Sequence, residues 1–121
     1  MATITIKLRD GLTIGNDKHT EAEIREFTAG DIMDASAAAE KIVPTESGPV
    51  FVTSPTLMDM QLLCRQIVRI GEHRGPLLLA ELRMISGYDL AKIQMAAAAL
   101  DAGAAKEAAT RGRLDNGQGI N

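Results

Sequence analysis

Between Ser54 and Asp101 apolar residues recur every three or four positions, with breaks at Gly71, Gly75-Pro76 and Ser86-Gly87. That period predicts three consecutive amphipathic helices. The first is expected from about Pro55 to Glu72, with Leu57, Met60, Leu63, Cys64, Ile67 and Ile70 on its apolar face. Ser54 is placed to cap it, and Pro55 fits its first turn. The second is expected from about Pro76 to Ile85, carrying Leu77, Leu78, Leu79, Leu82 and Ile85. The third is expected from about Tyr88 to Asp101, with Leu90, Ile93, Ala97 and Leu100 on one stripe. Ser86 is its cap, and Asp89 follows three residues later. No such helix buries its stripe alone, so the three must pack on one another or on a partner.

The residues before this block have a different period. Ile4, Ile6 and Leu8 alternate with Thr3, Thr5 and Lys7, the pattern of a half-buried strand. Asp10-Gly11 and Gly15-Asn16-Asp17 are turn signals, and Lys18–Phe27 alternates again with Ala22 and Ile24 inward. An antiparallel meander of two or three strands is expected, although the Glu and Ala content of Thr20–Arg25 also permits a helix. From Thr28 to Val43 the period returns to that of a helix, with Ile32, Ala35, Ala39, Ile42 and Val43 on its stripe and Pro44 at its end. Thr28 and Asp31 have capping-box spacing, and Asp31 and Asp34 are explained by the helix dipole more simply than by a metal or acid–base pair. Pro44–Pro55 reads as a loop whose Val50-Phe51-Val52 run is either an extra strand or a staple against the helices.

The expected fold class is α+β: a short N-terminal antiparallel β meander (1–27), then a predominantly helical domain of about four helices (28–101). A flexible C-terminal tail (102–121) is expected to follow, its alanine-rich start extending the last helix as a frayed arm. At 121 residues the chain is long enough for one modest core. That core must be aliphatic, because Phe27, Phe51 and Tyr88 are the only aromatics. Cys64, the single cysteine, is expected to be a small buried hydrophobe. Met1–Leu8 alternates where a secretory leader would show an apolar run, and no stretch reaches the roughly 18 apolar residues of a membrane span. The expectation is a soluble cytoplasmic protein that engages no membrane.

Candidate chemistry is sparse. His19 and His73 have no second ligand at metal spacing, and Gly11 and Gly15 lack the helix and lysine of a phosphate loop. No nucleophile–base set assembles around Cys64. Catalytic, cofactor and metal sites are therefore all expected to be absent, and the protein is expected not to be an enzyme. Charge is uneven. Residues 1–60 hold five Lys/Arg against ten Asp/Glu, and residues 61–121 hold eight against six. An acidic first half opposes general nucleic-acid binding. Leu77–Leu100 has the outline of a helix-turn-helix, but its second helix offers only Lys92 and Gln94 for base reading. Met33, Met58, Met60, Met84 and Met95 all fall on expected helices. Met58, Met84 and Met95 lie off or beside the stripes, as filler or as a soft surface for helical partners.

The run Ile24-Arg25-Glu26-Phe27-Thr28-Ala29-Gly30-Asp31-Ile32, placed after a short β unit, carries a resemblance. So does a second helical block containing Gly71, Gly75-Pro76 and Asp89-Leu90. Over residues 3–101 the chain resembles the small tail assembly chaperones of long-tailed phages and prophages, the Mu-like kind in particular. The resemblance implies a host-cytoplasmic assembly factor, absent from the mature virion. Its client would be the tape measure protein, a long helical protein that such chaperones coat until tail tube subunits polymerise around it. It further implies contact with the tail tube protein, a longer frameshifted form of the same chain, and self-association into a dimer or larger. On this reading the client face is expected on the second and third helices of the Ser54–Asp101 block and includes Arg65, Arg69, Met84 and Met95, with Arg65 and Arg69 sharing one helix face. The alternatives are a small helix-turn-helix-like DNA-binding regulator and a minor structural virion protein.

Overall fold

In chain order the elements are β1 (Thr3–Ile14), β2 (Asp17–Arg25), α1 (Ala29–Ala38), β3 (Glu40–Thr45), β4 (Gly48–Thr53), α2 (Pro55–Gln66), β5 (Ile67–Ile70), β6 (His73–Arg74), α3 (Leu79–Leu82) and α4 (Gly87–Ile120). The structure, a computed structural model, describes the backbone of residues 1–120 and the side chains of residues 1–111. The expected α+β class holds. A four-stranded antiparallel sheet in the order β1-β2-β5-β6 carries α4 across its first two strands, and β3 and β4 form a separate two-stranded ribbon.

β1 and β2 form the expected N-terminal hairpin, with Ala22 and Ile24 fully buried. β1 is bulged. Lys7 opposes Glu21 and Leu12 opposes His19, so β1 covers five steps where β2 covers two. Gly11 turns the bulge at a φ of 71°, and a Cβ there would lie 2.1 Å from the His19 carbonyl oxygen. Only glycine satisfies both demands without distortion.

The first helix of the Ser54–Asp101 block ends earlier than its periodicity predicts. Ser54 Oγ caps it as expected, accepting from Leu57 N–H, but α2 stops at Gln66, and Ile67–Ile70 becomes β5 against β2. Ile67, Val68 and Ile70 are β-branched, which lowers helix propensity and suits a pleated surface. The exposed edge of β2 supplies the pairing that tips the balance. The second expected helix shrinks to the single turn Leu79–Leu82, although Leu77, Leu82 and Ile85 are buried as predicted. The third starts where expected, with Ser86 Oγ accepting from Asp89 N–H. It then runs beyond Asp101, and its side chains over 102–111 are mostly exposed. The backbone of the segment expected as a flexible tail is helical to Ile120; the side chains from residue 112 on lie outside the described residues.

The helix expected from Thr28 to Val43 also ends early, at Ala38. Its capping box is present, but Glu40–Thr45 is strand. Pro44 disfavours helical geometry at Val43, and Gly48, at a φ of 112°, lets the Glu46-Ser47 turn fold the chain back on itself. α1 packs on α2, and Ala35 and Ala39 are fully buried. The main core comprises Leu8, Leu12, Ala22, Ile24, Leu63, Cys64, Ile67, Ile70, Leu77, Leu82, Ile85, Ile93, Ala96 and Ala97.

Candidate interaction surface

Three carboxylates hold the frame from which the exposed surfaces project. Arg25, at the end of β2, donates from both terminal nitrogens to Asp31 at 2.7 and 2.9 Å. Asp31 also accepts from Thr28 N–H and donates its own N–H to Thr28 Oγ1. The Arg25-to-Asp31 motif is thus a clamp between the sheet and the start of α1. The guanidinium of Arg25, with help from Thr28, brings the Asp31 carboxyl down to about 2. Asp89, fully buried at the start of α4, accepts from the N–H groups of Arg9, Asp10 and Gly11 at 2.7, 2.8 and 2.9 Å. These amides lie in the β1 bulge, where the ladder to β2 is interrupted. Burial raises the Asp89 carboxyl, and the hydrogen bonds from Arg9, Gly11, Asp10 and Ser86 outweigh it, leaving the pKa below the ordinary range. Asp101 accepts from Gln66 Nε2 and Phe27 N–H, joining α4 to α2 and to the β2–α1 turn. Cys64 is buried as expected, and that burial pushes its thiol up to about 11.

The frame leaves several large apolar side chains exposed. Every residue of the β3–β4 ribbon is exposed except half-buried Gly48. Ile42 retains 64% of its surface and Phe51 retains 68%; they stand opposite each other on one face. Val43 and Val50 stand opposite each other on the other face, with Val52 beside them. A second apolar surface lies on α4, where Tyr88, Ala91, Lys92 and Met95 line a hollow of about 280 Å³. Arg9 stacks 4.1 Å above the Tyr88 ring, and Lys92 Nζ donates to the Lys7 carbonyl.

The four residues expected at the client face do not form one surface of consecutive helices. Arg65 lies on α2 and donates to Gln61 O and Oε1. Arg69 is not on that helix face: it is on β5, where it pairs with Glu21 at 2.8 Å and Glu23 at 3.0 Å. That correction follows from the early end of α2. Met84 follows α3 and Met95 lies on α4; both are about three-quarters exposed. The helix-turn-helix outline is not realised, since α3 is one turn long and Lys92 is tied to β1. Among the described residues there is no group of three or more His, Cys, Asp or Glu side chains placed to hold a metal, and no helix is long and apolar enough to cross a membrane. Sequence reasoning missed the ribbon as a surface. Its signal was two runs of β-branched and aromatic residues, Ile42-Val43 and Val50-Phe51-Val52, bracketing Pro44 to Pro49.

Residues 8–113 match the family described as Tail assembly protein gp41. The chain belongs to this family. It is 43% identical over 114 residues to the "Probable tail assembly protein gp41" of Escherichia phage Mu, covering 90% of this chain and 79% of that relative. It is 38% identical over 111 residues to the "Mu-like prophage FluMu protein gp41" of Haemophilus influenzae, covering 91% and 87%. A third relative, the "Probable tail assembly protein FS-gp41" of phage Mu, is 44% identical over 95 residues, covering 75% of this chain and half of its own length. No solved structure matches the chain. Its family role is therefore in phage tail assembly.

Proposed function

We propose that this tail assembly protein acts as a chaperone for the tape measure protein, holding that long helical client soluble until tail tube subunits enclose it. The observation that carries this reading is the apolar surface of the ribbon and of α4, large side chains that the fold leaves exposed together and not singly. A soft surface of valines, isoleucine, phenylalanine and methionines accommodates many apolar stripes in turn, as a long repetitive client demands. Each contact is weak, and many copies on one client give avidity. On this proposal the protein works in the host cytoplasm, leaves before the virion matures, and catalyses no reaction. Tail tube protein, a longer form of the chain and a second copy are further partners. Of the four residues first expected at the client face, Met84 and Met95 are free to contribute, while Arg65 and Arg69 are engaged within the chain.

The test is co-expression of the tape measure protein encoded by the same phage, with and without this chain. The proposal predicts that the client moves from the insoluble to the soluble fraction and co-purifies with the tagged chain. A client that stays insoluble in its presence, or a chain recovered in purified particles, would overturn it; the latter result favours a structural virion protein.

A further inference from the structure

The ribbon has two kinds of surface, its edges and its faces, and the sequence treats them differently. In an antiparallel pair, opposed residues alternate between those that exchange both N–H···O bonds and those whose backbone groups point outward. Pro44 and Pro49 are directly opposed. Neither has an N–H, so their pair is of the outward kind, and so is Ile42 with Phe51 two positions along. In the outer half of the ribbon each edge has therefore lost one of its two outward donors to a proline. That is how edge strands are blunted against strand addition. The faces carry no such protection: Ile42, Phe51 and the two prolines occupy one, and Val43, Val50 and Val52 the other.

We propose that the ribbon grips its client through these faces, one amphipathic α-helix lying along each, with side-chain contacts alone. The inference rests on the chaperone reading and names the element that performs it. Dimensions favour a helix. Six residues of strand span about 20 Å and two strands with their side chains about 10 Å, close to the footprint of nearly four turns of a helix about 10 Å across. Area disfavours a second copy as the occupant. The five apolar side chains present on the order of 400 Å², about half on each face. A dimer closed through one face would bury roughly 400 Å² in total, well short of the roughly 1,200 Å² of a stable pair. A long client bound by many copies needs no single large contact. Charge sets polarity. Lys41 flanks the valine face and Glu40 the Phe51 face, so the first prefers a helix with acidic residues beside its apolar stripe and the second one with basic residues there.

The experiment compares retention of the co-expressed tape measure protein by the full tagged chain and three variants: Ile42→Thr/Phe51→Thr, Val43→Thr/Val50→Thr, and Met84→Ser/Met95→Ser. Threonine keeps strand propensity, and circular dichroism and amide exchange of the ribbon verify that each variant is folded. Each ribbon pair is expected to lower retention at least tenfold, and the methionine pair less than threefold. For the unmodified chain, binding should slow exchange in residues 40–53. Full retention by both ribbon variants, or unchanged exchange there, would overturn the proposal. Capture of a differently tagged second copy without client, abolished by the ribbon substitutions, would overturn it in favour of self-association. If the unmodified chain retains no client at all, the chaperone reading itself fails.

Discussion

Replacing Asp89 by alanine should weaken the attachment of α4 to the sheet. The carboxylate accepts three backbone N–H groups within 2.9 Å, and all three belong to the β1 bulge. Hydrogen bonds to a charged group contribute about 1.5–3 kcal/mol each, and they are not additive. The Arg9 and Asp10 bonds are only part-buried, so water replaces much of what those amides lose. The Gly11 bond is buried, and its N–H would be left without a partner. One full desolvation penalty of about 1–3 kcal/mol and two partial losses give a total of about 3–4 kcal/mol. Asp89→Asn, which keeps one acceptor oxygen but turns an amide toward donors, should cost about 2 kcal/mol. Urea unfolding followed by circular dichroism measures both, and with a slope of about 2 kcal/mol per molar the alanine variant should lose about 1.5–2 M in midpoint. Asp10→Ala, at an exposed neighbour on the same bulge, should leave the midpoint unchanged. A loss below about 1 kcal/mol for Asp89→Ala would refute the claim that the carboxylate compensates the broken ladder.

Acid should weaken the fold for a related reason. Asp31 has a folded pKa of about 2, below its ordinary value of 3.8, so its contribution of roughly 2 kcal/mol is present above about pH 4 and lost as pH falls toward 2. Arg25→Ala should flatten that acid limb in a series of urea titrations. Gly11→Ala should cost at least about 2 kcal/mol in thermal unfolding, because its Cβ meets the His19 backbone carbonyl and its φ is positive. Phe51→Ser should leave stability within about 0.5 kcal/mol, whereas Ile24→Ala should cost about 2–5 kcal/mol, since one side chain is exposed and the other fully buried. Cys64 in the native protein should react with thiol reagents far more slowly than the unfolded chain, because burial both shields the thiol and raises its pKa to about 11.

Much of this architecture was legible locally. The alternation of Thr3–Leu8, the burial of Ala22 and Ile24, the Thr28–Asp31 capping box and the Ser54 and Ser86 caps are set by neighbours in sequence, and the structure realises each. Misread segments are those decided by distant pairing. Ile67–Ile70 continues a helical period by spacing alone, yet it pairs with β2, more than 40 residues earlier. Ile42 and Val43 look like the last turn of a stripe until Val50 and Phe51 are placed across from them. Arg69 looked available for a partner, but Glu21 and Glu23 face it only once β5 exists. Asp89 was readable as a helix-start acid, whereas its amide partners lie 78 to 80 residues away, beyond any local rule. The proposed client surface follows the same division. Met84 and Met95 were identified as exposed candidates from the helix period, while the ribbon required knowing that α1 stops at Ala38.

The most direct test of the central claim is to tag this chain in cells producing the phage and identify by mass spectrometry what it retains, with purified particles analysed alongside. The account predicts that the tape measure protein is the principal bound protein and that the chain is missing from the particles. Retention of no tape measure protein, or incorporation of the chain into finished tails, would contradict it.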